Sequence, residues 1–101
     1  MGFEQYHEPA HDLSEKTRTL ARMFAGLQEE CEAINWYTQR ISVEKDAEAK
    51  AIMKNAREEE FKHFGMDLEF LLRRMPEFRD MLEPILFTDG DIVAAGEKAE
   101  D

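Results

Sequence analysis

A chain of 101 residues is long enough for one domain but too short for a four-helix bundle of long helices, so a large core requires a partner. With 23 acidic against 13 basic residues the formal net charge is -10, which repels nucleic acid and anionic lipid and favours cations or basic partners; acidity that serves only solubility is the bland alternative. The single cysteine, Cys31, excludes an intrachain disulfide, and no apolar leader or bilayer-length apolar run occurs, so the chain reads as soluble, non-membrane and cytoplasmic.

Residues 1–11 carry Pro9 and lack helical periodicity, which predicts an extended arm. A first long helix follows over 12–41, with Asp12 as N-cap and Glu15 three residues on. Its apolar stripe runs through Leu20, Met23, Phe24, Leu27, Cys31, Ile34 and Ile41. Gly26 inside it costs about 1 kcal/mol relative to alanine and marks a close approach by another backbone. The segment "SVEKDAEAK" makes a short break in which Asp46 caps a second helix over 46–75. That helix carries Met53, Phe64, Leu68, Leu71 and Met75, and Pro76 stops it. Two long helices joined by a short turn form an antiparallel hairpin. Residues 77–101 read as a short helix interrupted near Pro84, a "TDG" turn and a weak final helix. The expectation is one all-α domain over 1–101, a half-bundle completed by dimerisation.

All three histidines have Glu three positions earlier: Glu4 and His7, Glu8 and His11, Glu60 and His63. Only the last pair lies in a strongly periodic helix. With Leu20 as zero and about 100° per residue, the first helix's apolar stripe spans about -60° to +40°, and Glu30 falls at its edge near -80°. Glu29 and Glu32 fall on the opposite side, near 180° and 120°. On the second helix Glu60, Asp67 and His63 likewise flank the apolar stripe. A carboxylate there is costly unless paired, protonated or metal-bound.

Di-iron carboxylate bundles take one Glu from each of two helices and a Glu-x-x-His from each of the other two. This chain holds half of that set, and two copies would supply four carboxylates and two imidazoles. Carboxylate oxygen and imidazole together suit iron in both oxidation states. The plain alternative is that Glu30, Glu60 and His63 make ordinary salt bridges. "HEPAH" at 7–11 matches the zinc-protease pattern H-E-x-x-H, but Pro9 interrupts it and the chain leaves no second lobe for a substrate cleft, so His7 and His11 read as surface residues. Cys31 reads as a small buried hydrophobe, Trp36, near 160°, as an outward subunit contact, and Tyr37 as core or a hydrogen-bond partner of a site carboxylate. Glu58 and Glu59 read as solvent-facing or salt-bridged.

"HEP" at 7–9, "EECEAINWYTQR" at 29–40, "NAREEEFKHFGMDLEFLLRR" at 55–74 and "LFTDG" at 86–90 together resemble the encapsulated ferritins, the ferritin-like cargo of encapsulin nanocompartments. The resemblance implies two-helix subunits whose ferroxidase centre forms only between two chains, dimers closing into an annular decamer, and Fe(II) oxidised by dioxygen and passed to the lumen of an encapsulin shell. It implies Glu30, Glu60 and His63 as ligands for two iron ions per dimer, with Tyr37 beside them. It further implies Glu29 and Glu32, with Trp36 alongside, as an accessory site where metal enters. The chain departs from the family at Cys31, where an aliphatic residue is common. It departs also at Asp67, where a small neutral residue is expected; this carboxylate either orients the imidazole or competes as a ligand. The sequence ends "GEKAED" in place of an apolar encapsulation peptide, as a shortened chain or one reaching its shell otherwise. The rival class is a non-catalytic acidic helical adaptor for a basic partner.

Overall fold

Ser14, and not Asp12, starts the first long helix. In the computed structural model, which describes residues 5–101, the Ser14 hydroxyl accepts a hydrogen bond from the Thr17 N–H at 3.1 Å, and helix α1 runs Glu15–Val43. Asp12 closes a separate 3-10 turn, Ala10–Asp12, and Leu13 then takes an extended conformation, so the capping position falls two residues later than the sequence pattern gives. The Arg18 guanidinium donates to the Ala10 carbonyl, Nε at 3.1 Å, and ties this turn to α1. Ala10 and His11, the end of the expected extended arm, therefore lie in a helical turn. Glu4, half of the first Glu-x-x-His pair, lies outside the described residues.

Three residues, Glu44 to Asp46, separate α1 from helix α2, Ala47–Arg74. The Asp46 carboxylate accepts from the Ala49 N–H at 2.9 Å, the cap expected from its position, while the Glu44 carboxylate accepts from the Asp46 N–H at 3.0 Å. Asp46→Ala is expected to cost about 1 kcal/mol of stability, read as a lowered urea midpoint with an unchanged denaturant slope; an unchanged midpoint would count against the cap.

The chain forms two compact units, one ending at Glu69 and one comprising Phe70–Asp101. The first is the hairpin. Its two helices run antiparallel: Thr38 of α1 meets Arg57 of α2, Glu30 meets Glu60 and His63, and Gly26 meets Asp67, so stepping back along α1 means stepping forward along α2. Ile41 is its one buried large apolar side chain among the described residues, whereas Trp36, Val43, Ile52, Phe61 and Met66 are exposed. A single hairpin leaves its apolar surface in water, as the chain length leads one to expect.

The second unit holds the last turn of α2, helix α3 (Pro76–Leu82) and helix α4 (Ile92–Ala99). Leu71 is completely buried there. Pro76 occupies the first turn of α3, where its missing N–H is not needed. Gly90, in the "TDG" turn, has φ +89, a value that side chains rarely tolerate, and Asp91 caps α4 by accepting from the Val93 N–H at 3.0 Å. Among the described residues the structure is all helical, and no helix is long and apolar enough to cross a membrane.

Candidate metal centre

Glu30 and the pair Glu60 and His63 are brought together by the antiparallel register. One donor atom from each lies within 4.8 Å of the others, a spacing at which all three reach one cation. Glu60 and His63 stand one helical turn apart on α2, with His63 Nδ1 3.6 Å from Glu60 Oε1, and their side chains are 28% and 45% exposed. Helix α1 presents Glu30 to them from the facing surface.

Glu30 is the electrostatically costly member. Its Oε1 is buried and accepts no hydrogen bond. Burial pushes the Glu30 carboxyl up from 4.5 to about 7, aided by a hydrogen bond with Asp67 and by the negative charges of Asp67 and Glu60, while His63 pulls it down. A buried acceptor without a donor is what a cation would satisfy, and two carboxylates with an imidazole form a donor set suited to iron. The donor chemistry and the unsatisfied oxygen therefore fit a metal ion.

The raised Glu30 carboxyl carries a sign. The unfolded chain releases this proton near pH 4.5 and the folded chain near 7, so folding is favoured most below 4.5 and loses stability as pH rises from there to about 7. Metal-free Glu30→Gln is expected to show a flatter stability profile than the parent between those values, measured by urea midpoints at stepped pH. Equal slopes would contradict the assignment.

Glu58 is exposed, and Glu59 pairs with Lys62 at 2.9 Å, which holds its carboxyl below the usual range, so neither joins the centre. Glu29 and Glu32 are exposed on α1. Trp36 is 47% exposed and lines a shallow depression with Gln39 and Arg40. Tyr37 is half-buried under the Arg40 guanidinium, 5.4 Å from the ring centre, and is not among the three clustered donors. His7 and His11 are exposed, and His11 lies 3.4 Å from Asp12.

Two sequence expectations change. Cys31 is exposed, not buried: successive helical residues point about 100° apart, so with Glu30 turned toward α2 the next side chain projects to the flank. Gly26 does mark a close approach, but by a side chain. A Cβ there would lie 3.0 Å from Asp67 Oδ2. Asp67 in turn helps to raise the Glu30 carboxyl. One residue went unremarked in the sequence: Arg57, whose guanidinium donates to Thr38 Oγ1 at 3.2 Å and lies 5.4 Å from the Phe61 ring centre, with Nε buried and unpartnered. Its position one turn before Glu60 was the available signal.

The sequence profile of the EncFtn-like family matches residues 5–89. A ferritin-like protein of Thermotoga maritima is 41% identical over 95 residues, which cover 94% of this chain and 83% of that protein. An encapsulated ferritin-like protein of Rhodospirillum rubrum is 40% identical over 88 residues, covering 87% of this chain and 63% of the relative's length. The crystal structure of a Nitrosomonas europaea protein superposes with a TM-score of 0.84 at 42% identity, over 88% of this chain and 99% of that one. With a family match across most of its length and the same fold at this identity, the chain belongs to the EncFtn-like family.

Proposed function

We propose that the protein is a ferroxidase which oxidises Fe(II) with dioxygen at a di-iron site formed between two copies of the chain. The observation that carries this reading is the Glu30, Glu60 and His63 cluster with its unsatisfied Glu30 Oε1. Fe(II) is the substrate, and each ion gives up one electron to dioxygen. The names of the relatives, ferritin-like and encapsulated ferritin-like, support an iron-related role.

The protein's own groups do the rest. Glu60 and His63, one turn apart on α2, and Glu30, reaching across from α1, would hold the iron, with Glu30 or Glu60 shared between the ions of the two chains. Carboxylate oxygens stabilise the harder ferric product more than the ferrous substrate, which favours electron loss once the ions are bound. Glu29 and Glu32, exposed on α1 with Trp36 nearby, form the accessory site where Fe(II) first collects, drawn by the net charge of -10. Tyr37 stands beside the centre as a hydrogen-bond partner. The dimers assemble further into an annular decamer within the lumen of an encapsulin nanocompartment, whose shell receives the ferric iron for storage.

Aerobic mixing of Fe(II) with the purified oligomer is expected to raise ferric absorbance far faster than buffer does, with iron retained after desalting. An acidic adaptor would retain no iron and leave the buffer rate unchanged, and that result would displace the ferroxidase reading.

A further inference from the structure

Helix α2 carries a second row of residues beside the one that faces α1. Arg57, Glu60 and Asp67 turn toward α1, where they meet Thr38, Glu30 and Gly26. Ile52, Ala56, Glu59, His63 and Met66 recur at alternating steps of four and three, the heptad spacing by which one helix lies along another. At about 100° per residue all five fall within about 40° of Ile52, to the side of the α1 contact. The row stands open to solvent: Ile52 is 66% and Met66 56% exposed, and the His63 side chain is half-exposed. A shallow groove bounded by Glu48, Ala51, Ile52, Asn55 and Ala56 opens along its first half.

We propose that a second copy of the chain docks on this row, α2 against α2 and antiparallel, about a twofold axis level with position 61. The row itself selects that register. It sets Met66 of each chain over Ala56 of the other, where the groove has room, and Glu59 of each beside His63 of the other. Large meets small and acid meets base. Parallel helices in register would instead stack Glu59 on Glu59 and His63 on His63, like on like. With α1 on one side of α2 and the second α2 roughly a quarter-turn round its axis, two hairpins take the neighbour arrangement of a four-helix bundle. This rests on the reading that a second copy completes the metal centre, and it names the face which that copy takes and the group it adds. Beside each His63 it adds the other chain's Glu59, a carboxylate placed to accept from the ring N–H that a metal leaves free. Glu59, outside the cluster of its own chain, thereby acts as a positioning residue across the interface.

The test is disulfide trapping in the full chain carrying Cys31→Ser, so that the exposed native thiol does not interfere. Ala56→Cys/Met66→Cys is expected to give a covalent dimer under air oxidation. Its two cysteines lie about 15 Å apart along one helix, too far to bond within a chain. Each single variant, and Ile52→Cys, is expected to run as a monomer on a denaturing gel, because the proposed register holds like positions about 15 Å or more apart. No bond in the double variant overturns the proposal, as does a bond in Ile52→Cys alone, which parallel helices would give. Should the double variant fail to assemble, Met66→Glu decides. A carboxylate driven into the groove beside Glu48 is expected to leave particles of lower mass than the parent by light scattering, and parent mass overturns the docking face. Co(II) titration of the assembled, metal-free protein, followed by the visible absorption of bound cobalt, keeps the two readings apart. His63→Ala is expected to lose Co(II), and retention there would sink the metal centre while the trapping result stood. Glu59→Ala is expected to keep the parent mass yet bind Co(II) about 10-fold more weakly, and Glu59→Gln, still an acceptor, to recover most of the affinity. Parent-like affinity in Glu59→Ala overturns the positioning role, as does a Glu59→Gln no tighter than the alanine variant.

Discussion

Glu30→Ala is expected to abolish rapid Fe(II) oxidation while leaving the metal-free protein at least as stable as the parent at pH 7.5 to 8. The two effects have one cause. Glu30 keeps a buried oxygen that nothing in the chain satisfies, and its carboxyl is raised to about 7 by burial, by the bond to Asp67 and by the charges of Asp67 and Glu60. At pH 8 the group is mostly ionised in the folded chain, so folding bears the full desolvation and repulsion. Alanine removes that burden together with the ligand. Loss of a metal ligand is expected to slow oxidation by more than about 100-fold, beyond the 10- to 100-fold typical of outer partners. His7→Ala and Glu58→Ala, both at exposed positions outside the cluster, are expected to oxidise Fe(II) at the parent rate. Stopped-flow ferric absorbance and thermal melts of the same preparations decide the matter. A Glu30→Ala protein that is active, or inactive only because it melts earlier, would show that Glu30 serves the fold and not the metal.

The same residue shows what a sequence can and cannot reveal. The hairpin was legible because its cues are local: apolar residues at helix spacing, the Asp46 cap and Pro76 as a stop each act over a turn or two. The clustering of Glu30, Glu60 and His63 was foreshadowed because helix phase put Glu30 at the edge of one stripe and Glu60 and His63 beside the other. Register was not available from phase. Gly26 and Asp67 are 41 residues apart, and only the pairing of α1 with α2 brings them to the contact that turns a helix-weakening glycine into a niche. Cys31 failed for a related reason. Its stripe position was read correctly, but a stripe is wider than the face that one neighbouring helix covers, and the sequence does not say which part is covered. The first cap was misplaced because two capping residues, Asp12 and Ser14, stand two apart, and the backbone of Leu13 decides between them.

Oxidation is also expected to follow the dimer, with monomer fractions losing nearly all activity per chain. One chain brings two carboxylates and one imidazole within 4.8 Å, three donors of formal charge -2 when both carboxylates are ionised. Two Fe(II) ions carry +4 between them and commonly take about six ligands each in oxygen-rich sites. A second copy doubles the set to four carboxylates and two imidazoles and balances the charge. Hydrophobic surface points the same way. In the hairpin Ile41 alone is buried among the large apolar side chains described, while Trp36, Ile52, Phe61 and Met66 stand exposed, a cost to a lone chain that association with another copy removes. Size-exclusion fractions assayed directly for Fe(II) oxidation, with mass measured by light scattering, give the comparison. Dilution should lower specific activity as dimers dissociate, and Co(II) should saturate near one ion per chain in the dimer with far weaker binding to the monomer. Monomer oxidising iron at the full rate per chain would mean that three donors suffice, and the shared di-iron site would have to be given up in favour of a mononuclear one.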